Sequence, residues 1–355
     1  MNPRRVLLPL LWPFSLLFHA AVRLRAWLYR RGILRAKRLG GVVISVGNLT
    51  TGGTGKTPMA IWLAERSIAE GRRVGILTRG YRGAARWAQA SVTPGAARND
   101  QFMPQIFSDE VWLMWRRLGD KVRFGVGANR AAWGCKLERD GVDWFILDDG
   151  FQHLRLARDA DIVLVDATDP FGGDFLLPAG RLREPRSALR RADVVVITRS
   201  DLSPEVEAAI RRETLAPVFY AKTRPDGIFH AQALMIGPEM LDWQKRSFFA
   251  FCAIANSEAF FEDLQHWGLR LAGQRAFPDH HAYTHSDVQE IEGRAREAGA
   301  EALICTEKDI FNFRNLRHWS LPIYYCQIRL QLSDPDAFWK AVKVAVERKR
   351  PGRAR

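Results

Sequence analysis

A glycine-rich segment near the start of the chain carries residue types that bind phosphate. Residues 47–58 read GNLTTGGTGKTP. Glycines let successive backbone N–H groups curve around phosphate oxygens, and a helix that follows would add its positive end. Lys56 would reach the β- and γ-phosphates of a nucleotide, and the Thr57 hydroxyl would bind Mg²⁺. The predicted nucleotide-binding residues are Thr50, Thr51, Gly52, Gly53, Thr54, Gly55, Lys56 and Thr57.

The segments on either side of this loop support the same interpretation. Residues 41–46 (GVVISV) are β-branched and predict a strand, and residues 59–68 (MAIWLAERSI) predict an amphipathic helix. Strand, glycine-rich loop and helix form the context of a phosphate loop. The strict pattern has glycine five residues before Gly55, where this chain has Thr50. The alternative is a glycine-rich turn that binds nothing.

Two adjacent carboxylates end a second apolar segment. Residues 143–149 read DWFILDD, which predicts a buried strand followed by Asp148 and Asp149. Phosphate-loop proteins hold Mg²⁺ with a carboxylate at such a strand end. Paired acids are also common in ordinary turns, so the pair alone is a weak signal. We rank Asp148 first as the metal ligand and Asp149 as its catalytic neighbour, although the residues themselves leave that order open.

Seven motifs occur in an order that resembles the tetraacyldisaccharide 4′-kinase family, the lipid A 4′-kinases. These motifs are VGNLTTGGTGKTP (46–58), LTRGYRG (77–83), SDE (108–110), LDDGFQH (147–153), LPAGRLREP (177–185), FPDHH (277–281) and TEKD (306–309). The resemblance implies an enzyme of the Gram-negative inner membrane. That enzyme would use ATP and Mg²⁺ to phosphorylate the 4′-hydroxyl of its substrate, a tetraacylated glucosamine disaccharide 1-phosphate that is a lipid A precursor.

The resemblance also implies a catalytic pair, Asp109 and His280. A carboxylate bonded to an imidazole orients the ring and stabilises its charged form, which would help to remove a proton from the attacking hydroxyl. Without the resemblance, Asp109 is typical of an acidic first helical turn and His280 of a capping or core histidine. Glu184 is a further metal candidate by resemblance, and its alternative is an exposed charged loop residue.

Six residues are predicted to contact substrate phosphates or the acceptor sugar. They are Arg79, Arg82, Gln152, His153, Arg181 and Arg183. A guanidinium fork matches phosphate oxygens, so one of the arginines could bind the substrate 1-phosphate. For any single arginine the alternative is a solvated side chain. For Gln152 and His153 the alternative is hydrogen bonding within the local turn.

Positive charge is concentrated at the two ends of the 355-residue chain. Its formal net charge is +14, with nine basic residues and no acids in residues 1–40 and five basic residues in residues 348–355. The segment 41–347 is therefore formally neutral. A nucleic-acid groove would need the excess on the folded body, so no nucleic acid is expected as a partner. Basic termini beside apolar sequence favour an anionic membrane surface, although the tail alone could be solvated.

The N-terminal segment has the pattern of a helix that lies in a membrane interface. Residues 6–22 are uncharged but short for a membrane span, and two prolines interrupt them. The basic, amphipathic sequence that follows predicts peripheral or monotopic attachment at the cytoplasmic face of the bacterial inner membrane. A core helix with a basic exposed side and a single-pass anchor are the alternatives. No obligate protein partner is evident.

Short apolar runs alternate with amphipathic segments along the rest of the chain. This predicts an α/β fold of the P-loop NTPase type, with a mostly parallel sheet and helices on both faces. The predicted parts are an N-terminal membrane-associated amphipathic helix (1–38), a P-loop kinase domain (39–225), a smaller C-terminal α/β domain (226–347) and a basic tail (348–355). The boundary near residue 225 rests on the turn signal RPDG at 224–227.

Two other functions remain open at the level of the residues. Residues 198–201 (TRSD) resemble faintly the guanine-reading [NT]KxD turn, which would suit a P-loop GTPase or ATPase switch. A membrane-surface adaptor that keeps a nucleotide-binding fold is the second alternative. Phosphoryl transfer to the lipid would distinguish a kinase from both.

Overall fold

The computed structural model describes residues 3–80, 91–92, 108–231, 245–313, 316 and 319–351. The chain divides into two compact units, one formed by Met1–Thr223 with Leu330–Arg355 and the other by Arg224–Arg329. Two strands, Val218–His230 and Ile323–Leu332, have residues in both units. Arg82 and most of the predicted loop 80–107 lie outside the described residues.

The helices and strands of the first unit alternate along the chain, as the sequence predicts. The helices described are α1 (Pro3–Arg30), α2 (Lys56–Ala69), α3 (Asp109–Leu118), α4 (Arg130–Arg139), α5 (Pro204–Arg211) and α9 (Pro335–Lys349). The strands are β1 (Val42–Asn48), β2 (Val74–Thr78), β3 (Ser91–Val92), β4 (Val122–Val126), β5 (Trp144–Leu147), β6 (Ala160–Asp166), β7 (Val194–Thr198) and the start of β8 (Val218–His230).

The strands of this unit form a mostly parallel sheet. Their order is β8-β7-β6-β1-β5-β2-β4, and β3 pairs antiparallel with β4 at the end. Every residue of β1 and β6 is buried. Continuous burial of this kind occurs in parallel sheets whose two faces are both covered, and it explains the near-continuous apolar runs in the sequence.

The second unit is a smaller α/β body. Its strands are β9 (Ser247–Cys252), β10 (Arg270–Ala276), β11 (Ala302–Thr306) and β12 (Ile323–Leu332), and its helices are α6 (Ser257–His266), α7 (His285–Glu297) and α8 (Glu307–Phe313). The strands pair in parallel in the order β10-β9-β11-β12. Phe248, Ala250 and Ile304 are fully buried in its core. The predicted C-terminal α/β region is present, but the sequence did not reveal β10 or α8.

The end of the chain corrects the predicted boundary of the smaller domain at residue 347. The sequence predicts that residues 226–347, which include most of α9, form the smaller domain, yet the helix belongs to the first unit. The ring of Trp339 lies 6.3 Å from Trp62 on α2 and 6.2 Å from Trp144 on β5. Its indole N–H also donates to Glu70 at 2.6 Å. These aromatic contacts, rather than proximity in sequence, decide where the helix packs.

The turn predicted at residues 224–227 is also wrong, because β8 continues through it. Pro225 has no N–H to donate, which a strand tolerates where that position needs no ladder bond. The first residues of the predicted basic tail are bound to the first unit. Helix α9 continues to Lys349, and Arg350 forms an ion pair with the buried carboxylate of Asp159 at 2.9 Å.

The predicted N-terminal helix is present as α1. Its side chains include several exposed large apolar groups: Trp12, Phe14, Leu16, Leu17, Leu24 and Trp27. Hydrogen bonds attach the described part of α1 to loops of the first unit, from the Ser15 hydroxyl to the Leu176 carbonyl at 2.8 Å and from Arg25 to the Gln152 carbonyl at 2.9 Å. No helix among the described residues combines the length and the apolar character that crossing a bilayer requires.

Candidate phosphoryl-transfer site

Three neighbouring strands end together at the carboxyl edge of the first unit's sheet. Ser45 of β1 lies beside Leu147 of β5, and Leu77 of β2 lies on the other side of Leu147. The residues that follow therefore meet at one edge. In open parallel sheets this edge is where ligands bind.

The phosphate loop runs from the end of β1 to the start of α2. Gly52 (φ +125°) and Gly55 (φ +84°) adopt backbone conformations that other residues rarely reach. A side chain at Gly52 would also meet the guanidinium of Arg181. Thr50, where the strict pattern has glycine, forms an extended bridge with Leu182 and is buried. That position needs no left-handed backbone, which explains why threonine replaces glycine there.

Lys56 is held inside this loop. Its ammonium donates to the Gly52 carbonyl at 3.3 Å and to the Asn48 side-chain oxygen at 3.4 Å, and it lies 3.8 Å from Asp149. Burial lowers the pKa of Lys56, and the charge of Asp149 opposes that shift. The long contacts leave the ammonium able to move to a phosphate.

Arg183 and Asp149 form the strongest ion pair of the site. The guanidinium donates to both carboxylate oxygens at 2.8 Å and also contacts the Asn48 side-chain oxygen. Burial alone would raise the pKa of Asp149, but the hydrogen bonds from Arg183 and the charge of Lys56 hold it well below its usual range. Asp149 is therefore ionised, and Arg183 is fixed beside the phosphate loop.

The carboxylate of Asp148 has far fewer hydrogen-bond partners than that of Asp149. One oxygen accepts a hydrogen bond from Thr78 at 3.2 Å, whereas the buried Oδ1 has no partner. Burial raises the pKa of Asp148 to about 7, and the charges of Glu110 and Asp149 add to that shift. A cation at this position would stabilise the charged carboxylate.

The oxygen atoms at Asp148 and Thr57 are suitable ligands for an Mg²⁺ ion that binds together with a nucleotide. No group of three or more His, Cys, Asp or Glu residues with metal-site geometry occurs within the described part of the chain. Mg²⁺ needs no such cage, because one or two carboxylates, a hydroxyl and phosphate oxygens complete its shell. The unpartnered oxygen of Asp148 and the buried Thr57 at the start of α2 are donors of this type.

The DDGFQH loop packs back onto the end of β1. The Gln152 side chain donates to the Asn48 carbonyl at 2.9 Å. Burial, together with the charge of Arg130, lowers the pKa of His153 to about 4, so its imidazole is neutral at pH 7. The His153 Nε2 atom is buried without a partner. Gln152 thus has a local structural contact, and His153 has a ring nitrogen available to a ligand.

Arg130 is a site residue that the sequence analysis missed. It is buried at the start of α4 and donates to the Asp149 carbonyl at 3.1 Å. Burial lowers its pKa, and the charges of Asp148 and Asp149 oppose that shift. The sequence contained a signal for this role. An arginine in the first turn of a helix is repelled by the helix dipole, so a nearby acidic group is needed to compensate it.

The remaining predicted residues have varied surroundings. Arg181 donates to the Thr51 carbonyl at 2.8 Å and to Asp169 at 2.7 Å, so it braces the phosphate loop. Arg79 follows β2 at the same sheet edge and is exposed. Both oxygens of the buried Glu184 are engaged by Arg191, at 2.8 and 3.0 Å. This geometry does not support the prediction that Glu184 binds a metal.

Asp109 and His280 lie in different units. Asp109 is buried in the first turn of α3, where its Oδ1 accepts the backbone N–H of Glu110 at 2.9 Å. The negative charge of Glu110 favours the charged form of Lys56 and disfavours that of Asp148, so the start of α3 lies within electrostatic range of both. His280 follows β10 in the second unit and has a positive φ of 60°. Their pairing stays a prediction.

In the turn at residues 198–201, which resembles a guanine-reading motif, both charged side chains form ion pairs. Arg199 pairs with the buried Asp166 at 3.2 Å. Asp201, the residue that would recognise guanine, forms an ion pair with Lys222. This geometry does not favour the GTPase interpretation.

Comparison with known proteins agrees with the geometry. A family model described as tetraacyldisaccharide-1-P 4′-kinase matches residues 7–347. The tetraacyldisaccharide 4′-kinase of Pelobacter propionicus is 39% identical over 351 residues, covering 96% of this chain and 93% of that protein. Its namesake in Geobacter metallireducens is 37% identical and covers 95% and 98%. The crystal structure of LpxK from Aquifex aeolicus in complex with ATP is 28% identical, with a TM-score of 0.73, and covers 97% and 99%.

Proposed function

The chain belongs to the tetraacyldisaccharide-1-P 4′-kinase family of lipid A biosynthesis, and from that premise we propose how its residues perform the transfer. ATP binds with its phosphates in the loop Thr50–Thr57. Lys56 and Arg183 both lie at this loop, and their positive charges neutralise the transferred phosphoryl group. The observation that carries this proposal is the phosphate loop beside the acids of the DDGFQH motif.

Thr57 and Asp148 are the residues that would hold Mg²⁺. When bound, the ion neutralises charge on the β- and γ-phosphate oxygens. Asp149 stays ionised through Arg183 and is the second acidic candidate at this edge. The partnerless oxygen of Asp148 supports its assignment as the direct ligand.

Asp109 and His280 act as the base for the attacking hydroxyl. The 4′-oxygen forms a bond to the γ-phosphorus while the bond from that phosphorus to the bridging oxygen of ADP breaks. The proton of the hydroxyl passes to His280, whose charged form Asp109 stabilises. Arg79, Arg82 and Arg181 are candidates for the substrate 1-phosphate. Arg79 is exposed, as a side chain that meets a diffusing lipid headgroup must be, whereas Arg181 is half-buried.

A direct test is transfer of label from γ-labelled ATP to the tetraacyl disaccharide 1-phosphate in detergent with Mg²⁺. We expect wild type to label the lipid, and Lys56→Ala and Asp109→Ala each to lower the rate at least about 10²-fold. ATP binding and melting temperature, measured on the same samples, identify variants that are merely unfolded. Absence of lipid labelling by folded, ATP-binding wild type would instead favour a switch or an adaptor.

We also propose that α1 binds an anionic membrane surface, at the cytoplasmic face of the inner membrane. Its exposed apolar side chains and its arginines support this assignment. Leu17→Asp with Leu24→Asp should reduce co-sedimentation with vesicles that contain phosphatidylglycerol. Leu215→Asp is the matched control, because Leu215 is 100% exposed but lies outside α1, whereas Leu17 and Leu24 are 68% and 57% exposed. Equal loss in both variants would contradict the proposal.

A further inference from the structure

The second unit contains a buried carboxylate that the proposed chemistry does not use. Asp309 is the third residue of α8 and is fully buried. Burial of a carboxylate is costly unless hydrogen bonds compensate it. The donors that surround Asp309 therefore indicate what the residue holds in place.

One oxygen of Asp309 serves its own helix. Oδ2 accepts the Thr306 hydroxyl at 2.5 Å and the Thr306 backbone N–H at 3.0 Å. Thr306 precedes α8, so these bonds have the pattern of a capping box.

The other oxygen reaches two segments far away in the sequence. Oδ1 accepts the backbone N–H of Ala253 at 2.8 Å and the Tyr283 hydroxyl at 2.9 Å. Ala253 follows β9, and Tyr283 lies three residues beyond His280. Burial raises the pKa of Tyr283, and the charge of Asp309 adds to this shift. The hydroxyl therefore remains protonated and can donate.

Both partners of Oδ1 connect directly to the segment that carries His280. The His280 backbone N–H donates to the Ala253 carbonyl at 3.1 Å, so one peptide residue links Asp309 to His280. His280 has a φ of 60°, a left-handed conformation that is unfavourable for a residue other than glycine. Such a conformation persists only when its surroundings fix it.

Aromatic packing secures the other end of the same segment. The Tyr283 ring makes an edge contact with Phe277 at 5.2 Å and with His281 at 5.4 Å. The Phe277 N–H donates to the Cys252 carbonyl at 2.9 Å. Residues 277–283 are thus fixed on both sides of His280, and Asp309 bonds to the two groups that fix them.

We infer that Asp309 is a positioning residue that sets the direction of the His280 imidazole through Ala253 and Tyr283. This inference rests on the proposed role of His280 as the proton acceptor. Asp309 itself touches no reacting atom. Its effect is on the geometry of the segment, and small displacements of a catalytic group reduce rates strongly, by about 10²-fold for 1 Å.

The test combines variants of the network with His280→Ala in the lipid-labelling assay. We expect Tyr283→Phe, which removes one donor and keeps the ring, to lower kcat by about 10-fold with little change in KM for ATP. Asp309→Asn should lower kcat more, because an amide cannot accept hydrogen bonds on both of its sides. Thr306→Ala is the matched control, since it removes a bond to the same carboxylate on the helix side only.

The deciding measurement is the double variant with His280→Ala. If Asp309 and Tyr283 act through His280, Tyr283→Phe should lower kcat in wild type but not further in the His280→Ala background. An equal loss in both backgrounds, or an equal loss of kcat in Thr306→Ala, would overturn the inference and leave a purely structural role. If His280→Ala alone keeps full kcat, the proposed role of His280 fails and this inference fails with it. Tyr283→Phe keeps the test decisive should Asp309→Asn not fold.

Discussion

Buried carboxylates lie at both edges of the parallel sheet in the first unit. The hydrogen bonds and ion pairs that compensate their charges differ between the two edges. At the amino edge, Asp159 precedes β6 and Asp193 precedes β7. At the carboxyl edge, the buried Asp148 and the half-buried Asp149 follow β5. The sequence singles out Asp148 and Asp149 at the end of a strand, but it does not show how the charge of each of the four acids is compensated. Their surroundings in the fold do.

The carboxylates of the amino edge are fully compensated. Asp159 accepts Arg38 at 3.1 Å, Arg350 at 2.9 Å and the backbone N–H of Val43 at 2.8 Å. Asp193 is bonded in the same way by Arg348, Lys349 and the backbone N–H of Asp161. These ion pairs attach the end of α9 to the sheet.

At the carboxyl edge, compensation is incomplete. Arg183 satisfies Asp149, but Asp148 keeps a buried oxygen without a partner and a pKa raised mainly by burial. A folded protein tolerates such a group when a ligand completes it, and strongly perturbed carboxylates concentrate at functional sites for that reason. The ligand-binding position is therefore indicated by the carboxylate that lacks hydrogen-bond partners, and not by the one with the best-formed ion pair.

The largest expected effect follows from removing the charge of Asp148. Asp148→Asn should lower kcat/KM by about 10²–10³-fold. The same change should raise the melting temperature of the ligand-free protein at pH 8. The folded pKa of about 7 lies above the unfolded value, so the contribution of Asp148 to stability is present at low pH and is lost as the pH rises through 7. At pH 5 the gain in melting temperature should be smaller than at pH 8, because only the unfolded chain still ionises this carboxyl, and the gain should disappear below the unfolded pKa, at about pH 4.

Asp149→Asn is the control for that prediction. Its pKa is held low, so its contribution to stability is present at neutral pH and is lost only in acid. Removing its charge leaves Arg183 and Lys56 without their carboxylate, and the melting temperature at pH 8 should fall. If both variants shift the melting temperature in the same direction at pH 8, the contrast between the two acids is wrong.

Local sequence was sufficient for the parts of the site that depend on backbone chemistry. The phosphate loop and the strand ending at Asp148 were predicted because glycine spacing and apolar runs act over a few residues. Most strands of the first unit follow from the same signal. The family suggested by the seven motifs is confirmed by the match to residues 7–347.

Contacts between distant residues could not be predicted in this way. The engagement of Glu184 by Arg191, the docking of Trp339 on the first unit and the burial of Arg130 all depend on tertiary packing. The basic tail is the clearest case. The sequence predicts that its charges are solvated or face a membrane, whereas Arg350 is 11% exposed and bonded to a carboxylate that is fully buried.

The smaller effects concern the amino edge, where Arg350 and Arg348 form a matched pair. Arg350→Gln should lower the free energy of unfolding by about 3 kcal/mol, because it removes a cation from a buried pair. Arg348→Gln should cost less than about 1 kcal/mol, since its side chain is 68% exposed and Asp193 keeps Lys349. Urea denaturation followed by tryptophan fluorescence measures both, and 1 M salt should abolish only the Arg348 effect. Equal, salt-sensitive losses would mean that the amino edge does not depend on buried compensation, and the contrast between the two edges would fail.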